Sequence, residues 1–200
     1  MKEFELEKQY EKLLNIKTTG RDDSKSDSYR YPYEPTPYCV LERLARSGYV
    51  GKKSTLLDYG SGKGRVECFM TYQTGCRAIG IEYDERMYNA SIKNKENCNR
   101  GSKVEFVLED ATKYAVPVEV DRIFFFNPFS ETILENVVSK IKQSYSEKER
   151  EIYLMFYFPS DEYMSLLMTC DYLEFEDEIE CDDLFEDNPD RERIMIFRWV

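Results

Sequence analysis

Carboxylates and glycines, not imidazoles or paired thiols, are the groups through which this chain could do chemistry. Leu56-Leu57-Asp58-Tyr59-Gly60-Ser61-Gly62-Lys63-Gly64-Arg65 reads as a buried strand running into a glycine-rich turn and then a helix. Glycines in such a turn let the backbone approach a ligand where a side chain would clash. Position 65 is Arg, so the G-x-G-x-x-G dinucleotide fingerprint fails at its third glycine, and no G-x-x-x-x-G-K-[ST] phosphate loop occurs anywhere. Asp58, two residues before the first glycine, suits a cationic ligand end better than a pyrophosphate. About 20 residues further on, Glu82 ends the run Ala78-Ile79-Gly80-Ile81, the place for a carboxylate that accepts ribose hydroxyls. Asn127-Pro128-Phe129 follows Ile123-Phe124-Phe125-Phe126, at the carboxyl end of a fourth strand, where open α/β sheets gather their ligands.

Much other chemistry is excluded. The chain has no histidine, and its six cysteines (Cys39, Cys68, Cys76, Cys98, Cys170, Cys181) contain no C-x-x-C pair, so no metal site is expected. Ser-His-Asp and Cys-His nucleophiles are ruled out, leaving proton handling to Tyr, Asp, Glu, Lys or water. Asp and Glu number 39 against 28 Lys and Arg, a net charge of -11. That balance argues against a nucleic-acid partner and favours a cationic or neutral one, a small molecule or a basic protein. No apolar run reaches bilayer-spanning length, and the opening Met-Lys-Glu-Phe-Glu-Leu-Glu lacks the apolar core of a secretory signal. The expected location is the cytoplasm, with no membrane partner and with reduced cysteines serving as small hydrophobes.

These groups need a frame. Leu6, Tyr10, Leu13 and Leu14 at helical spacing predict an amphipathic helix over 3–16, and 18–30 reads as a mobile linker or lid. Prolines then extend Tyr29 to Tyr38, and Thr36-Pro37 predicts a helix start with Thr36 at the N-cap. Downstream, strands 54–59, 77–82 and 103–108 alternate with helices 63–74 and 84–98, the signal of βαβ units. Strand 121–126, a helix bearing Ile133, Val137 and Ile141, and strand 151–158 follow. Two longer strands, 170–181 and 192–199, joined by the acidic connection 182–190, predict a closing hairpin. The acidic run Glu174 to Asp187 is a solvated edge of that hairpin or a surface for a basic partner.

The string Asp58-x-Gly60-x-Gly62-x-Gly64 resembles motif I of class I methyltransferases, which use S-adenosylmethionine and release S-adenosylhomocysteine. The resemblance implies an α/β fold: a Rossmann-like, seven-stranded, mostly parallel sheet ending in an antiparallel hairpin, with helices on both faces. Residues 1–35 would form an N-terminal helix and lid, and 36–200 the methyltransferase domain. Asp58, Gly60, Ser61, Gly62 and Gly64 would hold the cofactor's amino-acid end, Glu82 its ribose, and Tyr83, Asp110 and Ala111 its adenine. Asn127-Pro128-Phe129 resembles the motif IV turn of amine and amide methyltransferases with one proline missing, and also the Asn-x-Phe turn of non-SET histone-lysine methyltransferases. By that likeness Asn127 and the Pro128 carbonyl would hold the acceptor nitrogen, Asn127 also bordering the cofactor; its alternative role is to cap the following helix. Tyr33-x-x-Thr36 is similar to a segment that several lysine methyltransferases fold over the cofactor, which makes Tyr33 a catalytic candidate and Thr36 a cofactor-binding one. The implied activity is methyl transfer to N or O of a small molecule or a protein lysine. A non-catalytic S-adenosylmethionine-binding module and a nucleotide-binding oxidoreductase are the alternatives.

Overall fold

The computed structural model describes residues 3–25, 27–185 and 191–200. Five β-prone runs pair in parallel: β1 (Thr55–Tyr59), β2 (Arg77–Glu82), β3 (Val104–Leu108), β4 (Arg122–Phe125) and β5 (Tyr153–Tyr157). The last two strands, β6 (Leu173–Glu180) and β7 (Arg193–Trp199), run antiparallel, and β7 lies between β5 and β6. The order is β3-β2-β1-β4-β5-β7-β6, so the direction of winding reverses between β1 and β4. That reversal opens the crevice in which α/β sheets of this kind bind ligands, and Asp58 and Asn127 flank it.

Alternation along the strands sends successive side chains to opposite faces. Leu56, Ala78, Phe124 and Met155 pack on one side with α1 (Glu3–Leu14), α2 (Tyr38–Ser47) and α3 (Arg65–Thr74). Leu57, Ile79, Ile123 and Phe156 pack on the other with α5 (Glu131–Glu147) and α6 (Asp161–Met168). The helix α4 (Glu85–Asn97) bridges β2 and β3, its N-terminus capped by Asp84, which accepts the Arg86 N–H.

Several expectations are corrected. Pro37, not Thr36, is the N-cap of α2, and no side chain of its own caps it. The Tyr38 N–H, which has no partner within α2, is instead satisfied by Glu7 Oε1 of α1 at 3.0 Å, so the cap comes from another helix. The apolar face of α1 is Tyr10 and Leu14 with Leu6 beside them; Leu13 faces solvent. α3 begins at Arg65 because Gly64, at φ 82°, turns the chain just before it. α6 was not foreseen, although Ser160 caps it by accepting the Tyr163 N–H, with Asp161 and Glu162 in its first turn. Of the acidic connection 182–190, Asp182–Leu184 form one helical turn, and 186–190, which include the end of the acidic run, lie outside the described residues.

Candidate active site

The floor of the crevice is made by β1, the glycine turn and β2. Asp58 and Glu82 are 3% and 6% exposed, and burial pushes both carboxyls above the usual range. Glu82 is well supported: Oε2 accepts the Gly62 N–H and Oε1 the Asp84 N–H, each at 2.8 Å. Gly60 and Gly62 both have positive φ, and both are closely covered. A Cβ on Gly60 would lie 2.6 Å from Pro128 Cβ, and one on Gly62 would overlap the Tyr33 ring. The Ser61 hydroxyl lines the crevice, buried without a partner.

Beneath the turn, Arg65 locks the N-terminal helix to the site. Its guanidinium meets Glu7 at 2.7 Å and Glu11 at 3.5 Å, its Nε donates to Thr18 Oγ1, its Nη1 donates to the Thr36 carbonyl, and it stacks 4.2 Å over Tyr38. Such a buried cation is tolerable only because it is paired and hydrogen-bonded.

The stretch expected to be a linker or lid is anchored across the crevice. Lys17 exchanges hydrogen bonds with Asn94, Asp22 pairs with Tyr33, and Tyr29 to Tyr31 pair with Pro128 to Ser130. Arg30 ion-pairs with Asp110 at 3.2 Å and stacks on Tyr83, whose hydroxyl donates to the Lys25 carbonyl. With this cover in place the crevice has a cavity volume of about 100 Å³, below the ~300 Å³ at which ligand pockets begin.

A second cavity of about 520 Å³ opens beyond Asn127, between the ends of β4 and β5. Tyr31, Phe126, Tyr157 and Phe158 give it aromatic walls. Asn127 (φ 38°) and Phe158 (φ 51°) both adopt left-handed backbone. Asparagine tolerates that region; phenylalanine there stores on the order of 1–3 kcal/mol of strain. The Asn127 amide donates to the Phe158 carbonyl, while Asn127 Oδ1 is buried without a partner. Tyr31, Pro32, Glu34 and Phe126 border both cavities.

No protein-family model matches the chain, and no curated protein matches it. Solved structures do. An RNA methyltransferase from Salinibacter ruber, in complex with S-adenosyl-L-homocysteine, superposes with TM-score 0.56 at 19% identity over 83% of this chain and 92% of that one. A TehB-like SAM-dependent methyltransferase from Corynebacterium glutamicum gives 0.58 at 16% over 80% and 88%. A protein of the NADB-Rossmann superfamily from Streptococcus agalactiae gives 0.61 at 19% over 84% and 69%. The chain has the class I methyltransferase fold.

Within that fold the structure gathers Asp58, Gly60, Ser61, Glu82, Tyr83, Asp110, Ala111, Tyr33, Thr36 and Pro128 around one crevice. Gly62 and Gly64 stand behind it, Gly64 against the Phe106 ring, and Asn127 faces the second cavity. Two polar groups expected to serve the ligands are already engaged: the Pro128 carbonyl accepts the Tyr31 N–H at 3.3 Å, and the Tyr33 hydroxyl donates to the Thr18 carbonyl. Tyr33 therefore presents its ring, not its oxygen. Ser130, not Asn127, is the N-cap of α5, which removes the capping alternative for Asn127. Sequence reasoning missed Arg65 as a partner of α1, Arg30 as a partner of Asp110, and Phe158. Only Arg65 carried a signal, a charge set against the apolar run that opens α3.

Proposed function

We propose that the chain is an S-adenosylmethionine-dependent methyltransferase whose acceptor is an amine nitrogen, on a small molecule or on a lysine of a basic protein. The observation that carries the cofactor assignment is the convergence of Asp58, the tightly covered glycine turn and Glu82 on one crevice, with the unpartnered Ser61 hydroxyl among them. This set suits the group chemically: Glu82 for the ribose hydroxyls, Asp58, Gly60 and Ser61 for the amino-acid end, Tyr83 and Asp110 for the adenine. When bound, S-adenosylmethionine supplies a sulfonium methyl that is already a good electrophile. The work left to the chain is alignment and the exclusion of water. Asn127 lines the second cavity with its Oδ1 unpaired, and a turn of that side chain would offer the oxygen to an amine N–H there, which favours nitrogen over oxygen. An amine with an ordinary pKa of about 10.4 must lose a proton before it attacks; the aromatic walls favour its neutral form by desolvation, while Glu34 and Glu192 in the same lining favour the ammonium that first enters. The net charge of -11 argues against RNA as the acceptor.

Thermal melts test the reading. S-adenosylhomocysteine should raise the melting temperature, because a ligand that binds only the folded state stabilises it. Gly62→Ala should abolish the shift, since its Cβ would collide with Tyr33 at a backbone of φ 53°. A shift with NAD and none with S-adenosylhomocysteine would favour the oxidoreductase reading. Binding without methyl transfer to any of a panel of amines, followed by mass spectrometry, would leave a non-catalytic binding module.

A further inference from the structure

One buried acid has no place in the site described so far. Glu67, in the first turn of α3, is 0% exposed, and neither of its carboxyl oxygens has a hydrogen-bond partner. Its carboxyl fills space that the fold keeps open. Gly80 in β2 has ordinary strand backbone, yet a Cβ there would overlap Glu67 Oε1. The same Cβ would lie 2.6 Å from Ser61 Cβ and 2.7 Å from the Phe106 ring, so the carboxyl, Ser61 and Phe106 together leave room only for glycine.

We infer that Glu67 is a positioning residue which, in its protonated form, donates a hydrogen bond to ionised Asp58 and so fixes a single negative charge beneath the glycine turn. The groups facing Glu67 are Asp58 from β1, Glu82 from β2, Tyr33 from the cover and Cys68 beside it on α3. None of them is a cation, and Arg65, two residues away, is turned to Glu7 and Glu11. Asp58 is the register partner of Gly80, and Glu67 Oε1 lies where a Gly80 Cβ would stand, so the two carboxyls lie side by side on one face of the sheet, out of water, and hold one proton between them. Asp58 borders the crevice and Glu67 does not, so the charge belongs on Asp58 and the proton on Glu67. Burial raises both groups, which favours a proton held within the pair. Glu82 needs no such proton, because two backbone amides already support it. The cofactor reading enters only in naming what Asp58 faces, the ammonium of the amino-acid end.

Two measurements on the full chain test this. The infrared difference spectrum of wild type minus Glu67→Gln at neutral pH should contain the C=O stretch of a protonated carboxylic acid. Calorimetric titration with S-adenosylhomocysteine should find Glu67→Gln, whose amide can still donate to Asp58, within about threefold of wild type. Glu67→Leu fills the same space and donates nothing, and should bind at least about tenfold more weakly, the usual effect of a lost charged hydrogen bond. An absent band, a leucine variant that binds like wild type, or a glutamine variant as weak as leucine overturns the inference. If the leucine variant does not fold, the band and the glutamine titration decide. If wild type does not bind S-adenosylhomocysteine, the cofactor reading falls, while the band still decides whether the pair holds a proton.

Discussion

The two sides of the crevice are built on opposite principles. On the floor, formed by β1, the glycine turn and β2, the acids are buried and held within one stretch of chain, residues 58–84: Glu82 by the amides of Gly62 and Asp84, Asp58 beside Glu67. On the rim, formed by the ends of β4 and β5, the walls are aromatic, the backbone is strained at Asn127 and Phe158, and one acceptor oxygen is left unused. The floor is suited to hold one ligand in one pose. The rim has room, aromatic faces and charged groups at Glu34, Arg191 and Glu192, a mixture by which a site selects by shape and charge and then aligns.

The comparison can be broken or sharpened by substitution. The largest effect should come from under the floor: Arg65→Met leaves Glu7 and Glu11 facing each other without their cation, and should cost about 3–5 kcal/mol in urea unfolding. Because α1 also caps α2 and fills the core with Tyr10 and Leu14, the same measurement on a chain lacking residues 1–28 should show a collapse of stability. On the rim, Asn127→Ala should lower methyl transfer by about 2–4 kcal/mol, or about 30- to 1,000-fold, with S-adenosylhomocysteine affinity nearly unchanged. Equal losses of both would erase the distinction between floor and rim.

A third test uses pH. Glu67 stays protonated in the folded chain above its usual range, so the folded state binds more protons than the unfolded one and loses stability as pH rises. The loss begins above the ordinary glutamate value of about 4.3 and continues through the raised one. Glu67→Gln has no proton to lose, and its stability relative to wild type should increase steadily over that window in unfolding titrations. The smallest effect belongs to the cover. Arg30→Ala removes partly exposed ion pairs and should change stability by less than about 1 kcal/mol. It should still speed S-adenosylhomocysteine association in stopped flow; an unchanged rate would show that Arg30 does not latch the crevice.

What was legible in the sequence follows the same division. The floor lies within residues 56–82, and its strand, turn and acid are contiguous, so pattern alone located Asp58, Gly60, Gly62 and Glu82. Strand alternation and helix periodicity likewise gave the five parallel strands and the closing antiparallel pair. The cover was illegible because its partners are distant: Tyr29 to Tyr31 bond to a turn almost 100 residues later, and Arg30 lies 80 residues from Asp110. Thr36 was read as a helix cap because hydroxyl-then-proline is a good local signal, but a carboxylate from α1 took the task. Phe158 offered no signal, since nothing in a side chain of that type announces a left-handed backbone. α6 was overlooked for the opposite reason, its short apolar pattern being as compatible with strand as with helix.

The position of β7 has a consequence for how the chain is made. β6 leaves the ribosome before the strand it pairs with, and for that interval both of its backbone edges are bare. A run such as Leu173-Glu-Phe-Glu-Asp-Glu-Ile-Glu180 meets that interval with an acid at five of its eight positions, and like charge keeps it from joining a second nascent chain. Once β7 arrives, Arg198 and Arg193 pair with Glu174, Glu176 and Glu178, and part of the repulsion that guarded the strand becomes attraction that seats it.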